Sequence, residues 1–234
     1  MRNLIIASTS TVHGSNYLEY IMPALSELFR GVDEIIFIPY ARPGGITYDN
    51  YTELVKKAFK VINIRVRGLH EYENLQDAIK TTKGIFVGGG NTFVLVDELY
   101  RQNLVDVLAK VIETGTPYLG TSAGSNICGP NMQTTNDMPI VYPPSFKTLG
   151  MLSFNINAHY LDPDPSSTHK GETRETRIKE FHEYHTIPVL GLREGSWLAV
   201  KGEDIYLKGE LTARLFQKNK SPLELNPMSN LTTI

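Results

Sequence analysis

The stretch Gly84-Ile-Phe-Val-Gly-Gly-Gly-Asn-Thr92 joins a short apolar run to three consecutive glycines and then to a helical pattern. The same order returns at Pro117-Tyr-Leu-Gly-Thr-Ser-Ala-Gly124, where a second apolar run ends in small residues and residues 123–127 can continue as a helix. Apolar runs this short, bounded by turn residues and separated by helices, are typical of strands that are covered on both faces. The alternation predicts an α/β fold, with a mostly parallel sheet flanked by helices.

The alternation covers the first two-thirds of the chain and changes character after it. Strands are predicted at residues 4–7, 35–38, 62–66, 84–87 and 118–120, and helices at residues 17–29, 52–61, 75–81, 92–101 and 104–114. Pro23 lies inside the first helical pattern and should kink that helix or shift its start. A strand at 154–158 and a polar helix at 171–184 follow, and the tail has the pattern of antiparallel strands at 189–192, 197–200, 204–207 and 214–217. We expect one α/β domain that spans residues 1–234.

The composition limits the partners of the chain. Its 234 residues are 41% hydrophobic and 21% charged with a formal net charge of -2, and no basic stripe of the kind that a nucleic-acid partner requires is visible. The amino-terminal apolar run is too short for a transmembrane helix or for the core of a signal peptide, and the single Cys128 cannot form an internal disulfide. We therefore expect a cytoplasmic protein that binds a small molecule rather than a nucleic acid or a membrane.

Ser122 is the first candidate for chemistry, because Gly120-Thr-Ser-Ala-Gly124 fits the G-x-S-x-G nucleophile elbow. A predicted strand enters the motif and a predicted helix leaves it, and the small neighbours permit the sharp turn that exposes the hydroxyl. The amino terminus of the helix also directs backbone N–H groups and positive charge to this point. A strand-to-helix turn that only packs tightly is the structural alternative, and three further features favour a nucleophile.

The first feature is the run of glycines at residues 88–90, which follows a predicted strand. Consecutive glycines let a backbone approach a ligand closely and present its N–H groups. Acyl transfer requires two such donors where the tetrahedral oxygen develops, and parallel strands place this loop and Ser122 at the same edge of the sheet. A phosphate loop is disfavoured, since the stretch lacks Gly-Lys-Ser/Thr and does not fit G-x-G-x-x-G.

The second feature is His159, which ends a strand with a buried pattern and could meet the serine there, although a core histidine has the same pattern. The third is a supply of acids that could orient an imidazole. Asp137 lies in a long proline-rich loop at 129–150, and Glu194 follows a predicted strand. Asp137 would give the chain order Ser-Asp-His and Glu194 the order Ser-His-Glu, and both are acceptable because such triads are defined by geometry.

Six motifs, taken in chain order, resemble those of one family over essentially the whole length of the chain. They are Val87-Gly-Gly-Gly-Asn-Thr-Phe93, Gly120-Thr-Ser-Ala-Gly124, Thr134-Thr-Asn-Asp-Met-Pro-Ile-Val141, Ile156-Asn-Ala-His159, His169-Lys-Gly-Glu-Thr-Arg174 and Gly191-Leu-Arg-Glu-Gly-Ser-Trp197. The family is peptidase E, the α-aspartyl dipeptidases of serine peptidase family S51. Departures from its usual pattern are Thr121 in place of tryptophan, and Ala158 and Arg193 in place of prolines.

The resemblance implies a flavodoxin-like fold similar to that of class I glutamine amidotransferases, with serine where those enzymes carry cysteine. It implies cleavage of dipeptides that have an amino-terminal aspartate, with no metal and no cofactor. Ser122 would be the nucleophile and His159 the base. Either Asp137 or Glu194 would be the acid, and we favour Glu194 because a glycine-flanked acid after a strand fits beside the edge that carries the serine.

The expected activity also suggests residues that contact the substrate. The N–H groups of Gly90 and Ala123 would bind the oxyanion. Arg174 is the best candidate for the aspartyl carboxylate, because a guanidinium can meet a carboxylate with two parallel hydrogen bonds. Arg177 lies one helical turn later and could assist, although a solvated helix face is favoured for it. The side-chain oxygen of Asn91 would accept from the free amine of the substrate.

Two other functions fit parts of the pattern. A cyanophycinase-like hydrolase of aspartyl polymers would share the fold and the serine, but the Thr-Asn-Asp-Met-Pro and Lys-Gly-Glu-Thr-Arg stretches favour the dipeptidase. A binding protein without catalysis would be expected to lack the serine, the histidine or the acid, and all three are present. The sequence leaves open whether the chain is a monomer or a homodimer.

Overall fold

The computed structural model describes residues 1–164, 166, 168 and 171–234. Its strands are β1 (Asn3–Ala7), β2 (Glu34–Ile38), β3 (Arg65–Gly68), β4 (Ile85–Val87), β5 (Tyr118–Thr121), β6 (Asn155–Ala158), β7 (Val189–Leu192), β8 (Trp197–Lys201), β9 (Asp204–Lys208), β10 (Ala213–Phe216) and β11 (Leu223–Leu225). Its helices are α1 (Met22–Leu28), α2 (Tyr48–Phe59), α3 (Leu75–Thr81), α4 (Thr92–Arg101), α5 (Val105–Glu113), α6 (Ala123–Asn126) and α7 (Arg174–Tyr184). No helix within these described ranges is long and apolar enough to cross a bilayer.

Seven strands form the main sheet, in the order β3-β2-β4-β5-β1-β8-β9. The strands from β3 to β1 in that order are parallel, whereas β8 pairs antiparallel with β1 and β9 pairs antiparallel with β8. Successive side chains of β1 enter different hydrophobic clusters: Ile6 packs with α3, α4 and α5, and Ile5 packs with α1 and α2. The sheet is therefore covered on both faces, which confirms the predicted mostly parallel sheet flanked by helices.

A second sheet has four strands in the order β11-β10-β7-β6. β6 and β7 are parallel, with Ala158 opposite Leu192, and the other neighbours are antiparallel. Ile156 and Leu190 of this sheet belong to the same hydrophobic cluster as Ile6, so the two sheets pack on a shared core. The antiparallel strands predicted for the tail are present, but they are divided between two sheets, a division that the sequence pattern did not predict.

Three local predictions need correction at their ends. Residues 60–62 form a short 3-10 turn and Asn63 has a left-handed φ of 57°, so β3 begins later than the strand predicted from residue 62. Pro23 shifts the start of the first helix, because proline fits the first turn, where its missing N–H needs no partner. α7 begins later than predicted because the Thr173 side chain accepts from a backbone N–H in the first turn and caps it.

Candidate active site

Ser122 lies at a sharp turn between β5 and α6. Its backbone has φ 53° and ψ -110°, a conformation that costs a residue with a side chain about 1–3 kcal/mol. The Ser122 N–H donates to the Ala7 carbonyl at the end of β1 at 3.1 Å, and the Ser122 carbonyl accepts from the first turn of α6. Gly124 is required by close packing, since a Cβ there would lie 2.2 Å from the Val87 carbonyl oxygen. The surrounding backbone thus holds the strained turn and lifts the serine hydroxyl away from β5.

His159 follows β6 and reaches the serine from the second sheet. Its Nε2 lies 2.8 Å from the Ser122 Oγ. Its backbone also has a positive φ, of 55°, and its N–H donates to the Ser8 Oγ at 2.9 Å. Of the other histidines, His169 lies outside the described residues. Ser122 follows β5 of the main sheet and His159 follows β6 of the second sheet, so the two side chains meet where the sheets join.

Glu194 completes a chain of hydrogen bonds from the serine. Its Oε1 lies 2.6 Å from the His159 Nδ1. Since β6 and β7 are parallel and in register, the residues that follow them leave the sheet at the same edge and their side chains meet. With the proton on Nδ1, Nε2 is free to accept from the Ser122 hydroxyl. The His159 and Glu194 side chains are 37% and 50% exposed, so the site opens to solvent.

Asp137, the other acid that the sequence left open, lies elsewhere. Its Oδ2 accepts hydrogen bonds from the Thr92 N–H and Oγ1 at 2.8 and 2.5 Å and from the Thr135 Oγ1 at 2.8 Å. The carboxylate thus caps the amino terminus of α4, where unpaired N–H groups and the helix dipole stabilise negative charge. Of the two candidate acids, the structure brings Glu194 to His159 and uses Asp137 as a helix cap.

The glycine loop, residues 88–90, passes directly against the serine. A Cβ on Gly89 would lie 2.9 Å from the Ser122 Cβ. Gly90 has φ 146°, and a Cβ on it would lie 2.3 Å from the Ala41 carbonyl oxygen, so only glycine fits there. Within the described residues, the N–H groups of Gly89, Gly90 and Ala123 have no hydrogen-bond acceptor, which leaves them available to an oxyanion beside the Ser122 hydroxyl.

Asn91 takes a different part from the one that the sequence suggested. Its Oδ1 accepts from the Val94 N–H at 3.2 Å and caps α4, and its Nδ2 donates to the Met138 carbonyl at 2.8 Å. Both ends of the amide are therefore engaged within the protein, because an asparagine directly before a helix satisfies the unpaired N–H groups there. The predicted contact between Asn91 and the substrate amine has no support in this geometry.

Arg174 and Arg177 differ in their surroundings. Arg174 is the first residue of α7 and is half-buried. Burial, and to a smaller extent the like charge of Arg177, lowers the pKa of its guanidinium, whereas the charge of Asp137 opposes that shift. No carboxylate of the described residues forms an ion pair with the Arg174 guanidinium, which is partly buried at the start of α7. Arg177 is exposed and lies 3.9 Å from the Glu172 carboxylate. The solvated position favoured for Arg177 is the one observed.

The loops that carry these groups are joined by a charge cluster that sequence reasoning missed. Arg193 donates to Asp162 at 2.9 and 2.8 Å and to Glu224. Arg214 pairs with Glu175 at 3.1 Å, within the first turn of α7. The cluster therefore links the loop after His159, the residue before Glu194 and the helix that begins with Arg174. Its members are far apart in the chain, so no local pattern could have found it.

Cys128, six residues after Ser122, carries the single thiol of the chain. It is fully buried, and burial raises the pKa of its thiol to about 12, against a smaller opposing hydrogen bond with Tyr118. A thiol with so high a pKa is almost entirely uncharged near neutral pH and is a poor nucleophile. Ser122 is thus the better nucleophile at this edge of the sheet.

A serine, a histidine and a carboxylate in successive hydrogen-bond contact, beside free backbone N–H groups, define a serine hydrolase of the α/β class. The sequence model of Peptidase family S51 matches residues 4–208 of the chain. The chain belongs to this family of peptidases, and it is a hydrolase.

Curated relatives cover nearly the whole chain. Peptidase E of Streptomyces coelicolor is 48% identical over 232 residues, which are 99% of this chain and 94% of the relative. The protein named "Probable alpha-aspartyl dipeptidase" of Drosophila melanogaster is 45% identical over 234 residues, which are 99% of this chain and 96% of the relative.

Solved structures share the fold. The crystal structure titled as a "Putative Peptidase E Protein" of Listeria monocytogenes matches with a TM-score of 0.67 and 25% identity, covering 89% of this chain and 98% of that one. A peptidase from an acI-B1 Actinobacterium matches with a TM-score of 0.72 over 99% of this chain and 96% of that one. At 14% identity, the second match supports the fold alone.

Proposed function

We propose that the chain is an α-aspartyl dipeptidase, which hydrolyses dipeptides with an amino-terminal aspartate through an acyl-enzyme on Ser122. The observation that carries this proposal is the hydrogen-bonded chain from Ser122 through His159 to Glu194, and the partly buried Arg174 at the start of α7 supports the choice of substrate. The name of the relative from Drosophila supports the same substrate class.

In the first half of the reaction, His159 removes the proton from Ser122 as the hydroxyl attacks the carbonyl carbon of the aspartyl residue. Glu194 holds the imidazole through Nδ1 and stabilises its charged form. The N–H groups of Gly90 and Ala123 bind the negative oxygen of the tetrahedral intermediate, and each donor is worth about 3 kcal/mol in such sites. His159 then protonates the amine that leaves, and an acyl-enzyme remains.

In the second half, His159 takes a proton from water, which attacks the acyl-enzyme. The tetrahedral intermediate that results is stabilised by the same N–H groups. Its collapse returns the proton to Ser122 and releases aspartate. Because the His159 and Glu194 side chains are 37% and 50% exposed, water reaches this edge of the site without a change in the surrounding backbone.

Selectivity for aspartate is assigned to Arg174. Asn136 lies next to Asp137 in the chain, and its Nδ2 donates to the Ala158 carbonyl at 2.8 Å, directly before His159. Asp137 also raises the pKa of Arg174 against the effect of burial, which supports a position of the guanidinium on the same side as these groups. A half-buried cation without a carboxylate partner forms a stronger ion pair with a substrate carboxylate than an exposed or already paired cation does. The second oxygen of Asp137, which accepts no hydrogen bond from the described residues, offers an acceptor to the substrate amine.

Two further properties are proposed with this activity. We place the protein in the cytoplasm, because its single cysteine is unpaired and buried, as is common where thiols stay reduced. We also treat residues 1–234 as one domain, because residues of both sheets share one hydrophobic cluster. Cyanophycinase-like hydrolysis is less favoured, since the relatives described above are named as dipeptidases or peptidase E.

The activity is tested with purified protein and a panel of dipeptides: Asp-Leu, Glu-Leu, Asn-Leu, isoaspartyl-leucine and an aspartyl polymer. We expect rapid hydrolysis of Asp-Leu alone. Ser122→Ala should abolish it while the circular dichroism spectrum and the melting temperature stay near those of the wild type. Preference for the polymer, or turnover by Ser122→Ala, would overturn the proposal.

A further inference from the structure

The end of β1 contacts the backbones of both Ser122 and His159. The Ala7 carbonyl accepts from the Ser122 N–H at 3.1 Å. The next side chain, the Ser8 hydroxyl, accepts from the His159 N–H at 2.9 Å. Ser122 and His159 have φ values of 53° and 55°, so Ala7, the last residue of β1, and Ser8 directly after it contact two strained backbones that follow strands of different sheets.

The Ser8 hydroxyl is fully buried and bonded on both sides. Its exposed fraction is 0%, and it donates to the Leu192 carbonyl at 2.7 Å. A hydroxyl has one hydrogen to donate and two lone pairs to accept with. Here the hydrogen is used on Leu192, at the end of β7, and a lone pair is used on the His159 N–H, directly after β6. One hydroxyl from the main sheet thus joins both strands that carry the histidine and the acid.

The His159 backbone requires such a contact. A residue with a side chain at positive φ is about 1–2 kcal/mol less stable than in its ordinary conformations, and it persists only where neighbours hold it. The direction of the imidazole follows from this backbone conformation. A rotation of the backbone toward an extended conformation would move the imidazole and so disturb its two contacts, 2.8 Å to the Ser122 Oγ and 2.6 Å to the Glu194 Oε1.

We propose that Ser8 is a positioning residue of the active site, whose hydroxyl fixes the backbone of His159 so that the imidazole meets Ser122 and Glu194 together. Ser8 is not itself a nucleophile, because its hydroxyl is buried and its hydrogen is donated to the Leu192 carbonyl. Its effect on catalysis rests on the proposed function, whereas its effect on the geometry of His159 does not. Removal of the hydroxyl leaves the His159 N–H without its acceptor, while the Leu192 carbonyl still accepts from the Tyr160 N–H at 3.1 Å.

The kinetic test compares Ser8→Ala with Ser196→Ala. Ser196 is also 0% exposed, and its hydroxyl donates to the Leu211 carbonyl at 3.0 Å. Its backbone carbonyl, which accepts from the Ser8 N–H at 3.1 Å, is kept in Ser196→Ala. A misplacement of about 1 Å can cost a factor of about 100, so we expect Ser8→Ala to lower kcat for Asp-Leu about 10- to 100-fold with KM nearly unchanged. Ser196→Ala should lower the melting temperature by a similar amount while kcat is nearly unchanged.

A second pair of variants guards against loss of folding. Ser8→Thr keeps the hydroxyl and adds a methyl group, and Ser8→Val has the shape of the threonine variant without the hydroxyl. The threonine variant should have the higher kcat of the two by about 10-fold or more, whatever the added methyl group costs both. Equal kcat values within this pair, or a fall in the melting temperature of Ser8→Ala without a fall in kcat, would show a structural role only and overturn the proposal.

A readout without substrate separates this proposal from the proposed function. The proton shared between the His159 Nδ1 and Glu194 should give a far-downfield proton NMR signal, which Ser8→Ala should shift or abolish and Ser196→Ala should leave in place. If that contrast is found in a protein that does not hydrolyse Asp-Leu, the dipeptidase fails and the positioning role stands. If both variants keep the wild-type signal, the positioning role fails, whatever the activity.

Discussion

Replacement of Glu194 by glutamine tests the charge of the acid behind the histidine. Glutamine has nearly the same size, and its side-chain oxygen can still accept from the His159 Nδ1, so Glu194→Gln mainly removes the negative charge. The wild-type contact is short, at 2.6 Å between Oε1 and Nδ1. The lost interaction is therefore the attraction between a carboxylate and the imidazolium that forms in the transition state.

The size of this loss follows from the separation and the exposure of the pair. For charge centres about 4 Å apart, the attraction is about 1 kcal/mol in water and about 4 kcal/mol near a protein surface. The side chains of His159 and Glu194 are 37% and 50% exposed, which places the pair toward the lower end of that range. Since about 1.4 kcal/mol corresponds to a factor of ten, we expect kcat to fall about 10- to 100-fold, less than the roughly 10⁴-fold loss at a buried triad.

The assay measures kcat and KM for Asp-Leu in Glu194→Gln and in Asp137→Asn, the matched change at the other acid. Asp137→Asn removes the charge that caps α4 and that we assign to the substrate amine, so its main effects should be a higher KM and a lower melting temperature. A larger loss of kcat in Asp137→Asn than in Glu194→Gln, at unchanged KM, would refute the assignment of Glu194.

Three further outcomes are expected. Arg174→Lys keeps the charge but not the two-pronged geometry, and it should lower kcat/KM for Asp-Leu about 10- to 100-fold; Arg177→Lys is the control, and equal effects of the two would remove Arg174 from specificity. The Tyr51 hydroxyl donates to the Gly89 carbonyl at 3.2 Å. In a trans peptide the N–H of the next residue, Gly90, points in the opposite direction from this carbonyl, so the hydrogen bond also orients that N–H. Tyr51→Phe should therefore lower kcat more than it raises KM, and unchanged steady-state kinetics would contradict that role. Hydrogen bonds from Arg193 hold the pKa of Asp162 below its ordinary value, although partial burial opposes this shift. The pair therefore stabilises the fold at pH values above the ordinary pKa of about 4, and this stabilisation is lost as the pH falls through the lowered pKa. Asp162→Asn should lower the melting temperature at neutral pH and flatten its decrease in acid, and thermal unfolding curves with the wild-type pH dependence would exclude the contribution.

Local patterns were sufficient for the elements and for the turn at the serine. The predicted helices at residues 75–81 and 92–101 match α3 and α4 at both ends, because asparagine caps and apolar periodicity mark both helices within the sequence itself. The motif around Ser122 also constrains its own conformation, since a Cβ on Gly120 would lie 2.5 Å from the carbonyl oxygen of Gly124, four residues later.

The choice between the two acids was beyond such patterns. Asp137 and Glu194 both lie after regular elements, and either could have met His159. The parallel pairing of β6 with β7 decides the matter, since it brings Glu194 to the histidine, while the amino terminus of α4 attracts Asp137. The role of Asn91, by contrast, is a local one, because its side chain accepts from the Val94 N–H in the first turn of α4.

The sequence by itself thus determined which segments form strands and helices, the turn at Ser122 and the glycine loop, because each depends on residues within a few positions of one another. Only the tertiary structure decided what surrounds the histidine. Ser8 is 151 positions from His159 in the chain, and Glu194 is 35 positions from it. Contacts over such distances depend on how the two sheets pack on their shared core, and that packing is a property of the whole chain rather than of any one segment.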